Sequence, residues 1–308
     1  MISYIGKRVL TGIVALFVLS AVTFFLTYSI PGSPFQNQNV SEDVLEMLEE
    51  EYGLNEPIGV QYGQYLKNLL SGDLGYSYQD PAQSVVSTIQ RSFPFTVKLG
   101  FAALLTALFV GMLFGICQTF AKKSWIRGIV FLGTMFGTAI PNFVAALLLL
   151  LFFGVKLKLF PVAGLTSWES GVLPVIALSM YPASVIARLT KNRLEEIKTQ
   201  EYIVLAKGKG LSPSLIFFRH YLVHLWVPIL NYLGSAATFL LTGSFVVESI
   251  FNIPGLGRLF VSSIANRDYT LIMGLTMFMG FVVVVVQLLV DLLCGWIDPR
   301  IRKSYLKV

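Results

Sequence analysis

The residues of this chain that could carry chemistry are few, and their spacing does not assemble an active site. His220 and His224, the chain's two histidines, stand four residues apart, a spacing that can place two metal ligands on one helix face. No glutamate follows His220 directly and no third ligand is evident, so a helix surface at the membrane boundary is the favoured interpretation. No set of serine, histidine and aspartate indicates a catalytic triad.

Two glycine-containing stretches are too short or misplaced to bind phosphate. Gly208-Lys209-Gly210 lacks the spacing of the G-x-x-x-x-G-K-[ST] loop, and Gly255-Leu256-Gly257 does not follow a predicted strand. The sequence therefore predicts that this chain binds no nucleotide, cofactor or metal of its own and is not an enzyme.

Ionisable residues near apolar runs are the other place where function is expected. Asp291 stands near the inner end of the last run, and Glu248 stands just beyond the outer end of the run before it. Neither is at the middle of a span, where an ion-coupled carrier usually has its site. That class stays open as an alternative. Cys117 and Cys294 both lie in apolar runs and indicate buried thiols, not a disulfide framework.

The composition predicts the elements that hold these residues. Of 308 residues, 55% are hydrophobic and 13% are charged, whereas soluble domains carry roughly 25% charged residues. This composition excludes a soluble enzyme, a disordered chain and a nucleic-acid-binding face. A helix needs about 20 apolar residues to cross a bilayer, and backbone groups must pair within it. Six runs meet or approach that length, namely Val9–Ile30, Leu99–Ala121, Gly128–Val155, Ser170–Ala187, Leu225–Val247 and Thr270–Val290.

Two features of these runs predict local geometry. The third run is the longest and contains Pro141, so we expect it to bend. The pairs Gly111/Gly115 and Gly133/Gly137 have the spacing that allows two helices to approach closely. The prediction is an all-α polytopic membrane protein with six transmembrane helices.

Basic residues predict the orientation, because cytoplasmic loops are enriched in lysine and arginine. Sixteen of the 23 basic residues fall on the side that holds both termini and the loop 188–224. Both termini and that loop are therefore predicted to be cytoplasmic, and residues 31–93 external. The predicted divisions are a tail and first helix at 1–30, an external helical segment at 31–93, a five-helix core at 94–297 and a tail at 298–308.

The external segment 31–93 carries nine acidic and two basic residues and is predicted to be folded. A helix capped by Ser41 is expected to end at Gly53, and a second is expected to open at Pro57 and stop at Gly72. Val85 and its neighbours predict a third short helix on the membrane. The segment is interpreted either as a cap without chemistry or as a docking surface for an external partner.

The cytoplasmic loop predicts two helices joined by a tight turn. Thr199 is expected to cap the first helix, with Glu201 in its first turn, and Gly208 and Gly210 are expected to stop it with left-handed backbone angles. Ser212 is expected to cap a second helix with Pro213 at its first position. An alternative is a basic loop that holds anionic lipid.

Several stretches together resemble the membrane subunits of bacterial peptide-importing ABC transporters. The resemblance covers nearly the whole chain and is closest to the first permease of oligopeptide systems. The stretches that carry it are Ile30–Phe35, Tyr52–Ile58 with Gln61 and Tyr62, Gly72–Ser77, Ala139–Phe143, Tyr202–Leu211 with Arg219 and His220, Val247–Phe251, Pro254–Gly257, Asn266–Tyr269 and Asp298–Arg302.

The resemblance implies a type I importer permease in the bacterial cell membrane. Its partners would be a second similar permease, two cytoplasmic ATPase subunits that carry ATP and Mg, an external peptide-binding protein and membrane lipid, with an oligopeptide as substrate and no nucleic acid. It also implies an ATPase-coupling signature, formed by Glu201, Tyr202, Ala206, Lys207, Gly208, Lys209, Gly210 and Leu211. Ala206 is expected to permit close approach of the ATPase, and the residues that line the translocation pathway stay unassigned.

Two positions depart from the general importer signature. Val204 stands where an acidic residue is usual, and Val223 where a proline is often found. The alternatives within the family are a dipeptide or a nickel permease, and outside it an ion-coupled carrier or a membrane scaffold.

Overall fold

The computed structural model describes residues 2–30, 35, 47, 50 and 53–297. These residues are mostly helical and include no strand; Tyr76 and Ser84 form an isolated bridge. The helices are α1 Ile2–Tyr28, α2 Ile58–Leu70, α3 Val85–Phe120, α4 Ser124–Ala139, α5 Asn142–Leu149 with a π-helical continuation Leu150–Lys156, α6 Trp168–Lys198, α7 Glu201–Gly208, α8 Pro213–Ile216 with a π-helical continuation Phe217–Tyr221, α9 Leu222–Leu241, α10 Phe245–Ile250, α11 Leu256–Ala265 and α12 Tyr269–Ile297.

Within the described part of the chain, five helical stretches are individually long and apolar enough to cross a membrane. They are α1, α3, α6, the continuous stretch α8–α9, and α12. A sixth candidate is the pair α4 and α5, whose axes differ by 111° at a short break. The break is at Ile140 and Pro141, which confirms the predicted bend, because proline has no N–H for the helical ladder.

The broken pair advances along α6 in one direction. The Lys191 ammonium near the C-terminal end of α6 lies 5.8 Å from the ring centroid of Phe131 in α4. Gly137, later in α4, packs against Ser184, and Ala146 in α5 belongs to the same buried cluster as Leu173 near the other end of α6. The pair therefore traverses the length of α6 as one bent crossing, which gives the six spans predicted.

Helices α3 and α6 form the central pair, and α6 is the most buried span. A Cβ atom at Gly111 would lie 2.6 Å from the Ala183 carbonyl oxygen, and one at Gly115 would lie 2.6 Å from the Ala187 carbonyl oxygen. The predicted close approach at this glycine pair is confirmed. In the second pair Gly137 packs against α6, whereas a Cβ at Gly133 would contact nothing within 4 Å.

Helix α1 lies along α12 at the edge of the bundle. Gly12 packs against Val284, and Gly280 packs against Leu19. Near the N-terminal end of α1 and the C-terminal end of α12, Arg8 Nε lies 3.1 Å from Asp291 Oδ2. The carboxylate of Asp291 is thus paired with a cation and does not face the middle of the membrane.

Three sequence-based boundaries need correction. Val85 does not begin a short surface helix; it begins the 36-residue α3, which runs through the predicted boundary at residues 93 and 94 because Pro94 is accommodated inside the helix. The fifth apolar run does not form one helix, since α9 ends at Leu241 and Gly243 adopts a positive φ of 103°. The helix predicted after Ser41 and the tail 298–308 lie outside the described residues.

The remaining external predictions hold. Pro57 immediately precedes α2, which ends at Leu70, and Gly72 follows with a φ of 77°. The ring of Tyr62 packs against Phe24 of α1, with 5.1 Å between centroids, and its hydroxyl lies 3.1 Å from Ser20 Oγ. Helix α2 is therefore docked on the C-terminal half of the first span.

Candidate coupling elbow and translocation face

The loop between the fourth and fifth spans, which is predicted to be cytoplasmic, folds into the predicted elbow of two helices and a turn. Helix α7 ends at Gly208, Lys209 follows it, and Gly210 turns the chain with a φ of 76°. Ser212 then caps α8, since its Oγ accepts a hydrogen bond from Leu215 N at 3.4 Å, and Pro213 takes the first helical position. The elbow joins the end of α6 to the start of the fifth span.

Two details of the elbow differ from the prediction. Thr199 does not cap α7: it ends α6, and its hydroxyl donates to Glu196 O at 2.8 Å, while Gln200 precedes α7 without a side-chain cap. Gly208 is the last helical residue of α7, and its φ is not positive. Gly210 alone provides the left-handed turn, because one residue with that geometry is enough to redirect the chain.

Helix α7 has one face buried in this chain and one exposed. Ile203 is fully buried and Ala206 is 5% exposed. Val204 and Leu205, by contrast, are 61% and 60% exposed. The small side chain of Ala206 thus lets α7 approach its own bundle, and the exposed apolar surface of the helix is Val204 with Leu205. The contact of Ala206 with an ATPase stays a prediction.

The other predicted site residues surround this surface. Tyr202 is partly exposed, and its ring centroid lies 6.2 Å from that of His220 and 6.0 Å from that of His224. Both histidines thus face an aromatic ring. The remaining members are all exposed at the tip of the elbow, namely Glu201, Lys207, Gly208, Lys209, Gly210 and Leu211.

A continuous apolar cluster connects the elbow to the spans. Ile203 and Ala206 pack in one buried group with Ile197 of α6 and with Leu225 and Ile229 of α9. Because protein interiors are close-packed, a displacement of α7 has to move its neighbours in this group. The end of α6 is also held to α3, since Lys198 Nζ donates to Thr119 O at 3.0 Å and lies 4.7 Å from the ring centroid of Phe120.

One face of α9 is polar and open, which the sequence reading did not assign. Asn231 and Ser235 are exposed, Thr238 and Thr242 are half-buried, and His224 continues the same stripe at the cytoplasmic end. Polar side chains on a spanning helix usually face a water-filled path or another protein surface. The spacing of these residues along one helical face is the sequence signal that could have revealed this stripe.

A buried carboxylate organises the loop that follows the fifth span. Glu248 is 1% exposed; it accepts hydrogen bonds from Thr96 Oγ1 at 3.0 Å and from Gly257 N at 2.8 Å. Burial raises the pKa of Glu248, and hydrogen bonds from Arg258 N, Thr96 and Gly257 oppose that rise. With these donors, the side chain fixes the start of α11 on α3.

A second buried carboxylate joins the external segment to the last span. Asp268 accepts hydrogen bonds from Ser77 Oγ, from Tyr78 N at 3.2 Å and from Leu271 N at 3.2 Å. Gln79 Nε2 donates to Asn266 O at 2.8 Å beside it. The external segment is thus anchored on the turn before α12.

No ligand cluster accompanies these groups in the described residues: three or more His, Cys, Asp or Glu side chains do not converge there on a possible metal position. The absence of a resident metal or cofactor stays a prediction.

Comparison with known proteins decides the family. Residues 85–303 match the family described as binding-protein-dependent transport system inner membrane component, and residues 1–100 match its N-terminal component. The chain belongs to this family of ABC importer permeases. Two relatives are the dipeptide transport system permease protein DppB of Bacillus subtilis, 40% identical over 98% of both chains, and the oligopeptide transport system permease protein OppB of Salmonella typhimurium, 37% identical over 98% of this chain and 100% of that one.

Solved structures share the permease fold. A chain of the inward-facing MetNI methionine ABC transporter superposes with a TM-score of 0.58 at 17% identity, covering 68% of this permease and 96% of that chain. A chain of an amino acid ABC transporter with histidines gives a TM-score of 0.53 at 16% identity, with 70% and 94% covered. The permease is thus an all-α, multi-pass membrane protein of the type I importer fold.

Proposed function

We propose that this permease forms half of the translocation pathway of an ATP-driven importer of short peptides. The observation that carries the proposal is the continuous arrangement of an exposed apolar face on α7, a buried cluster beneath it and a polar stripe on α9. In this arrangement α7 docks on a cytoplasmic ATPase, and its movement is transmitted to the helix that lines the path. The substrate class is supported by the peptide transport systems named for both relatives.

The partners follow from this division of labour. A second, similar permease completes the pathway, two ATPase subunits bind ATP and Mg in the cytoplasm, and an external binding protein delivers peptide. The permease itself has no phosphate-binding loop, so it hydrolyses no ATP by itself. An ion-coupled carrier is disfavoured, because Asp291 is paired with Arg8, and Glu248, beyond the end of α9, accepts hydrogen bonds from Thr96 Oγ1 and Gly257 N.

The substrate is tested by uptake. Deletion of the gene is expected to impair uptake of tetra- and pentapeptides more than that of dipeptides, measured with labelled peptides in intact cells. Dipeptide import is the second candidate, and the 40% identity to a dipeptide permease favours it. Normal tetra- and pentapeptide uptake with loss of dipeptide uptake would select that candidate, and loss of nickel uptake alone would select a nickel permease.

The orientation is tested by labelling of single cysteines on a background that lacks Cys117 and Cys294. The excess of basic residues on one side places position 209 of the elbow in the cytoplasm and position 67 of α2 outside. We expect a membrane-impermeant thiol reagent to label position 67 in intact cells and position 209 only after permeabilisation. Labelling of position 209 but not position 67 in intact cells would reverse the orientation.

A further inference from the structure

Two adjoining cavities lie between α1, α2 and α12, and neither belongs to the pathway face. The upper one is a cleft of about 790 Å³ whose lining includes the polar side chains of Gln64, Asn68 and Asp73. The lower one is a groove of about 480 Å³ whose lining is apolar except for Ser20. Leu74 lines both cavities, so they adjoin at that residue.

The depth of the two cavities follows from their position along α1. Phe24, which lines the cleft, lies about 6 Å below the outer end of the helix at Tyr28. Ser20 and Ile13, which line the groove, lie about 12 and 22 Å below it. The cleft is therefore level with lipid headgroups, and the groove is level with acyl chains.

The groove opens toward the membrane. Leu70, at the end of α2, lines the groove and is 87% exposed. A leucine at this depth is expected to be covered by other apolar groups. Phe17 of α1 and Phe281 of α12 form the facing walls and are also more than half exposed. An acyl chain has the chemistry and the depth to cover these three side chains.

The cleft has polar groups that lack protein partners. Tyr65 Oη and Thr270 Oγ1 are buried and have no hydrogen-bond partner among the described residues. Both residues line the cleft, and their hydroxyls can donate to a phosphate. Glu56 and Asp73 line it as well, and no ion pair engages either carboxylate in the described residues, so the cleft also attracts a cation.

We propose that the cleft and the groove together bind one phospholipid whose headgroup carries an amine, such as phosphatidylethanolamine. The acyl chain fills the groove against Leu70, the phosphate accepts hydrogen bonds from Tyr65 and Thr270, and the ammonium lies near Asp73. The lipid belongs to the outer leaflet, which rests on the orientation proposed above. It stabilises the docking of α2 on the first and last spans.

The test uses the full-length permease in phosphatidylglycerol nanodiscs that contain a trace of phosphatidylethanolamine with a photoactivatable acyl chain. After illumination, we expect labelled peptides from the end of α2 and from the part of α12 around Phe281. The same probe with a choline headgroup is expected to label roughly two- to tenfold less, because its ammonium donates no hydrogen bond.

Two variants test the contributions of the groove and of the cleft separately. Leu70→Asp places a carboxylate in the acyl position and is expected to reduce labelling at least roughly tenfold. Leu159→Asp, a change at another exposed leucine outside the groove, is its control and should label as the wild type does. The double variant Tyr65→Phe, Thr270→Val removes the two hydroxyls and keeps the shapes of the two side chains. It should therefore retain labelling but lose the preference for ethanolamine over choline.

Three results would overturn the proposal. Equal labelling of the wild type and Leu70→Asp would show that the probe contacts α2 only as bulk lipid. An unchanged headgroup preference in the double variant would remove the two hydroxyls from the site. Efficient crosslinking of Leu70→Cys to the second permease in the assembled transporter would make the groove a subunit interface; the proposed transport function would stand in all three cases.

Discussion

Replacing both Val204 and Leu205 by aspartate is expected to abolish peptide uptake while the permease remains inserted in the membrane. Both side chains are about 60% exposed on α7, and no other apolar pair on that helix is free to enter an ATPase groove. Loss of a central apolar anchor costs about 2 kcal/mol or more of binding free energy. The measurement is the amount of ATPase that co-purifies with the permease, together with uptake of labelled peptide.

The control tests the alternative that this loop holds anionic lipid. Lys207→Gln with Lys209→Gln removes two exposed positive charges from the same elbow and leaves its apolar surface intact. We expect this pair to retain ATPase binding. Wild-type uptake by the aspartate variant, with uptake lost in the glutamine variant, would replace the coupling assignment by lipid anchoring.

Ala206→Trp and Gly210→Val should also abolish uptake, but by different physical routes. A tryptophan at position 206 cannot fit in the buried cluster with Ile203 and Leu225, so it forces α7 away from the bundle. Valine at position 210 must adopt a φ of 76°, which costs roughly 1–2 kcal/mol and redirects the turn. Reduced thermal stability of the first variant distinguishes it from the aspartate pair, whose substituted side chains are exposed.

Gly115→Leu is expected to prevent stable assembly of the bundle. Its Cβ would meet the Ala187 carbonyl oxygen at 2.6 Å and the Thr190 side chain nearby, and a helix backbone cannot yield as a flexible side chain does. Forcing α3 and α6 apart at this site costs about 3 kcal/mol or more. We expect little folded protein in the membrane fraction and a lower melting temperature for whatever is purified.

The matched substitution is Gly133→Leu in α4. A Cβ at that position contacts nothing within 4 Å, so the variant should be produced and melt like the wild type. If both leucine variants behaved alike, helix propensity or membrane insertion would explain the result, and the close approach of α3 and α6 would not.

The apolar runs allowed most of the fold to be predicted, because a span must be both long and hydrophobic to cross the membrane. Pro141 marked the bent span, and Gly111 with Gly115 marked the contact of α3 with α6. The upper end of α3 was missed, since the fourteen residues from Val85 to Lys98 are less apolar and give no hydropathy signal for a helix that continues beyond the membrane.

The sequence predicted which segment forms the coupling elbow, but not which side of α7 is exposed. Helix α7 is apolar around most of its circumference at Ile203, Val204 and Leu205, so periodicity could not reveal which side packs inward. Tertiary contacts with α6 and α9 decide that Ala206 is internal. The cavities beneath α2 depend on residues more than 200 positions apart, such as Leu70 and Phe281, and no local pattern connects them.

The packing of α1 on α12 has a consequence for biosynthesis. Gly12 meets Val284, Leu19 meets Gly280 and Arg8 meets Asp291, so these partners of α1 are in α12, which is made much later. Contacts of such long sequence separation form late. The glycine face of α1 therefore lacks the side chains it packs against until α12 is inserted, and a nascent chain that stalls before residue 280 exposes that face to cellular quality control.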